Sequence, residues 1–234
     1  MTNKPAPNTA FDWAIYADAT CAGLAVLIPI PIVDWLFEDF FRRRMPNAIA
    51  KRHGLKLADT VRDEFNRGDD TKTFLSSCLL LPLKGAYWLL KSVSKKILYF
   101  LTIKEAADQI SLYWHQAFLI DHMIRAGQLE DREAAIIARR AMWALLEAKH
   151  TSPLRQLAQQ VVAESNHVWR TLRDMRRGKE DEEIEERKVQ IRRRWDEFKD
   201  YFETLAAAYA DSYTVQLALA QQASELPPDP QQTT

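Results

Sequence analysis

The sequence predicts an all-α protein: a helical bundle of six or seven helices, with an apolar proline-broken hairpin and a long C-terminal helix. Three observations carry that prediction. Apolar residues recur at three- and four-residue spacing along most of the 234 residues, as expected for helices with one buried side. There are only 6 glycines and no Asn-Gly or Asp-Gly pair, so tight β-hairpins lack their usual turn chemistry. Hydrophobic residues make up 47% of the chain and charged residues 27%, which suits one ordinary globular core.

Residues 1–10, with their prolines, are expected to form a flexible leader. Thr9 is the expected N-cap of a helix starting near Phe11. That helix should end at Pro29, because proline lacks a backbone donor and clashes with the preceding turn. A second helix should begin at Pro31 or Ile32. Its acids Asp34, Glu38 and Asp39 lie near its start, where the helix dipole favours them, and its basic residues Arg42, Arg43 and Arg44 follow. Pro46 is expected to break it early, and Gly54 is a natural C′ residue. Leu55 to Thr71 reads as a polar connection with a loop at "NRGDD".

The next apolar segment is rich in lysine. Thr71 to Lys104 holds six lysines and no acid. Lys84, Lys91 and Lys95 fall on one side of a helix expected after Pro82, with Lys96 next to them and Trp88 on the same helix. Further helices are expected from Ile103 to Ala126, Glu130 to His150 and Pro153 to Arg177, each closed by a glycine or proline. The final long helix carries a heptad seam of Trp195, Phe198, Phe202, Leu205 and Tyr209. This seam should pack on the bundle, on a protein partner or on a second copy of the chain. Residues 225–234 read as a disordered tail. The organisation expected is therefore an apolar hairpin region over 11–104 and a helical bundle over 105–224.

The stretch "ATCAGLAVLIPIPIVDW", Ala19 to Trp35, raises the main functional question. Fifteen uncharged residues separate Asp18 from Asp34, fewer than the roughly 20 a membrane-spanning helix requires. With Pro29 and Pro31 inside the run, a simple span is disfavoured. Two readings stay open: a hairpin buried in a helical core, or a shallow hairpin at a membrane surface. The lysine-rich segment favours the second. Lysines can reach lipid phosphates while the Leu-rich side of their helix lies among acyl chains. The expected membrane contacts are Pro29, Pro31, Lys84, Trp88, Lys91, Lys95 and Lys96, against an anionic lipid surface.

The residues Ala22 to Ile28, Pro29, Pro31, Asp34, the Arg44–Met45 pair, Ile49–Ala50 and Gly54 form a pattern. It resembles the hydrophobic helical domains related to EcsC and the C-terminal tail domain of certain bacterial membrane-associated GTPases. The match covers about forty residues. It implies an α-helical, membrane-associated domain, although this chain carries no GTPase domain motif and its heptad region has no counterpart in the pattern.

No catalytic motif is present: there is no phosphate-binding glycine loop and no nucleophile elbow. A non-catalytic role without a cofactor is expected. Lysine plus arginine and aspartate plus glutamate number 32 each, a balance that argues against a general nucleic-acid binder. Asp108, His115 and His122 are heptad-spaced, but ligands seven apart lie about 10 Å apart along a helix, too far for one ion. They read as the polar stripe of a core helix, so no metal site is expected, and a metal-dependent enzyme at His115 and His122 is the weaker alternative. Cys21 and Cys78 lie in apolar runs and read as buried, reduced thiols. The N-terminal residues lack a basic region feeding an apolar one, so no cleaved signal peptide is expected and the protein should act in the cytoplasm, at the inner face of a membrane.

Overall fold

A computed structural model describes residues 7–28, 31–66, 95–148, 152–163, 189 and 191–225. Among these residues there is no strand, and the α-helices are α1 (Trp13–Leu24), α2 (Pro31–Arg52), α3 (Asp59–Asn66), α4 (Lys95–Arg125), α5 (Arg132–Ala148), α6 (Leu154–Ala163) and α7 (Lys199–Glu225), with a 3-10 turn at Ala25–Leu27 after α1 and further helical backbone at 191–196 before α7. The all-α class is the one the helical spacing predicts.

The bundle is organised around α4. Every residue from Tyr113 to Ile124 is buried, the mark of a helix covered on all sides. α1 and α6 pack on α4, α2 packs on α1 and α4, and α5 carries α3 and α7. A single core runs from Phe11 to Tyr209. The expected boundary between residues 104 and 105 falls inside α4, so the two sequence regions share one core. The helix expected to begin at Ile103 begins earlier, at Lys95.

α1 meets α4 through small side chains. Ala19, Ala22 and Gly23 face a helix that offers Ala106, Ala107 and Ile110, all fully buried apart from Gly23's missing side chain. Small residues at a crossing let two helix backbones approach more closely than large ones do. Trp114 locks this crossing from the α4 side, its Nε1 donating to Thr20 Oγ1 at 2.9 Å while that hydroxyl donates to the Tyr16 carbonyl at 2.8 Å.

The helix ends follow backbone chemistry. Asp12, not Thr9, caps α1, its carboxylate accepting from the Ala14 amide at 2.9 Å. α2 and α4 close in the same way. Gly54 and Gly127 each adopt φ 70°. The residue after each glycine donates back five residues, Leu55 to the Ala50 carbonyl and Gln128 to the Met123 carbonyl, both at 2.9 Å. These bonds satisfy carbonyls that a helix end would otherwise leave open.

Three expectations require correction. Pro46 lies inside α2 and does not end it, because Met45, Ile49 and Ala50 are buried and hold the helix on both sides of the missing donor. The connection after Gly54 contains α3, an eight-residue helix whose Val61, Glu64 and Phe65 are buried. The final helix is interrupted: helical backbone over 191–196 gives way at 197–198 to a tightened turn. There the Phe198 amide donates to the Trp195 carbonyl at 2.9 Å.

The heptad seam crosses that turn intact and faces inward. Trp195, Phe202, Leu205 and Tyr209 are fully buried, and Phe198 packs on the rim of the core. Trp195 is the hub of an aromatic cluster, with ring centroids 4.4 Å from Tyr16, 4.7 Å from Phe202, 4.9 Å from Phe11 and 5.4 Å from Trp114. The side chains expected at a partner contact are thus occupied by the chain's own helices. Beyond them, Val215, Leu217 and Leu219 remain exposed on the last turns of α7.

Candidate functional site

The two arms of the proline hairpin have different fates. The first arm, α1, is core: nine of its residues are buried. The second arm, α2, is covered on one side only. Phe41, Met45 and Ile49 follow one another at spacings of four on the inner side. There Phe41 is partly buried and the other two are fully buried. Leu36 and Phe40, also four apart, lie about 100° round the helix from that inner row. Trp35, Leu36, Phe37 and Phe40 are 43%, 51%, 43% and 53% exposed, a cluster of large apolar groups in water that calls for an explanation. The sequence contains both rows superposed in one short segment, so spacing alone does not separate the outer row from the inner one.

Most charged groups in the middle of α2 are turned to one another or to the bundle. Arg42 and Arg43 both reach Asp39, each at 2.6 Å. Arg44 pairs at 3.0 Å with Asp18, a buried carboxylate of α1. Glu38 accepts the hydroxyl of Tyr113 from α4. Burial alone would raise the Asp39 carboxyl, but hydrogen bonds from Arg43 and Arg42 outweigh it and hold it below the usual range. Its ion pairs are therefore complete at neutral pH. They are lost only as acid takes the solution down through that lowered value. Tyr113 moves the other way: burial, then the charge of Glu38, keep its phenol protonated well past the ordinary tyrosine range.

Farther along, α2 is bolted to α4 by a buried carboxylate. Asp121 accepts from His53 Nε2 at 2.7 Å and from Arg125 Nε at 3.0 Å. Next to this bolt a shallow groove of about 480 Å³ runs between the α2–α3 connection and the end of α4. Leu55, Leu57, Ile124 and Leu129 line it together with Lys56, Asp59 and Glu130. These charged groups are of mixed sign.

The heptad-spaced polar residues of α4 sit apart from one another. Asp108 pairs with Arg155 of α6 at 2.7 Å. His115 Nδ1 donates to the Ser111 carbonyl at 2.5 Å, which leaves Nε2 to accept the Tyr201 hydroxyl at 2.6 Å. The Ser152 hydroxyl lies 3.3 Å from the same nitrogen. His122 stands edge-on to the Tyr209 ring, 5.8 Å between centroids. Among the described residues no three His, Cys, Asp or Glu side chains converge as metal ligands would. Tyr201→Phe should remove a partly buried hydrogen bond and cost about 1 kcal/mol in urea unfolding, and an unchanged midpoint would mean that the hydroxyl holds nothing.

Of the expected membrane contacts, Pro31 opens α2 and Lys95 and Lys96 open α4. Pro29, Lys84, Trp88 and Lys91 lie outside the described residues, as does Cys78, while Cys21 is buried. No helix among the described residues is long and apolar enough to cross a membrane. No family model, curated protein or solved structure matches the chain.

Proposed function

We propose that the protein is a non-catalytic, peripheral membrane-associated scaffold that docks on the inner face of a membrane through the outer side of α2. The observation that carries this reading is the exposed group Trp35, Leu36, Phe37 and Phe40 in the first turns of α2. Tryptophan suits the interface between headgroups and acyl chains. The resemblance of this region to EcsC-like domains points the same way.

The magnitudes call for a second contact. Each of these side chains is roughly half exposed, so lipid burial of the remainder is worth about 1 kcal/mol apiece. Four together give roughly 4 kcal/mol, equivalent to millimolar affinity. Stable anchoring needs another signal. The hairpin turn at Pro29 and Pro31 and the lysines Lys84, Lys91, Lys95 and Lys96 are suited to supply it.

Vesicle flotation tests the reading. Leu36→Glu with Phe40→Glu should leave helical circular dichroism unchanged and release the protein from vesicles. Failure of the wild-type chain to float with any vesicle composition at low salt would end it.

A further inference from the structure

We infer that the outer side of α2 recognises a bilayer by exposed acyl chains, at defects in headgroup packing, and not by headgroup charge. This rests on the membrane reading above. From Val33 to Arg44 the helix carries three acids and three bases, and the bases are already engaged. Asp39 holds Arg42 and Arg43, and Asp18 of α1 holds Arg44. An arginine that is to grip a lipid phosphate would have to share its guanidinium with a carboxylate already at 2.6–3.0 Å, which lowers what the phosphate contact is worth. The side of the helix that stays open offers four large apolar groups, and the arginine on it, Arg43, is paired with Asp39. Such a surface gains free energy only where acyl chains are accessible, as they are in strongly curved bilayers. A zwitterionic, defect-rich membrane is the partner that matches it.

The test uses the full chain and phosphatidylcholine vesicles, small sonicated against large extruded, with and without phosphatidylglycerol and added salt. A companion chain with Lys84, Lys91, Lys95 and Lys96 changed to Gln removes any binding through those lysines. In that companion, small phosphatidylcholine vesicles should retain several-fold more protein than large ones, and salt should change the bound fraction by roughly twofold at most. Asp39→Asn in the same background should free two arginines and create salt-sensitive binding to phosphatidylglycerol vesicles. A companion that binds only anionic vesicles and is stripped by salt would overturn the inference and leave the membrane reading standing. Absence of binding to every vesicle would overturn both. So would a fall in thermal stability of core size for Phe40→Glu, since this would mean that the chain itself covers the face.

Discussion

Replacing Gly23 with alanine should lower the midpoint of thermal unfolding by about 10 °C. A Cβ at this position would lie 2.5 Å from Ile110 Cγ1 and 2.6 Å from the Ile110 Cα and amide nitrogen. A side-chain tip could swing aside, but a backbone cannot, so α1 and α4 would have to separate along their small-residue contact. Overpacking against a rigid neighbour costs about 3 kcal/mol, and for a chain of this size each kcal/mol shifts the midpoint by roughly 2–4 °C. Circular dichroism melts of the wild type and the variant measure the effect. Ala14→Gly, at an exposed position of the same helix, serves as a comparison for helix propensity, worth about 1 kcal/mol. If Gly23→Ala proves neutral or stabilising, the close approach of the two helices is wrong.

Trp195→Ala should be the more damaging of the two, at about 4 kcal/mol, within the range for truncating a buried aromatic. The indole is fully buried and touches aromatic rings from the segment before α1, from α1, from α4 and from α7. Its Nε1 has no hydrogen-bond partner among the described residues, so the loss is one of packing. Trp195→Phe should therefore recover most of the stability. Denaturant unfolding and sedimentation on the same samples separate the two roles open to the seam. A seam that serves the core loses stability without a change of mass. A wild-type dimer that becomes a folded monomer on Trp195→Ala would return the seam to an interface between chains.

The backbone signals could be read locally, and they were sound where chemistry is local. Gly54 and Gly127 close helices because a left-handed residue is needed there and glycine adopts it freely. Thr9 misled because Asp12 competes for the same amides from a nearer position, and a carboxylate is a strong acceptor at a helix start. Pro46 misled because a proline penalty of about 3 kcal/mol is outweighed when the residues around it are anchored in a core. α3 was missed because its eight residues carry too few apolar positions to show a period.

By itself the sequence determined the helical class, the start of α2 at Pro31, and the apolar seam from Trp195 to Tyr209, since all three are written in spacings within one segment. Tertiary structure alone decided which way each face turns. It directed the seam inward onto Tyr16 and Trp114, and it spent Arg44 on Asp18, 26 residues away. It also buried one row of α2 while leaving Leu36, Phe37 and Phe40 in water. The physical reason is that periodicity reports which residues share a side of a helix, whereas burial depends on which helices arrive to cover that side.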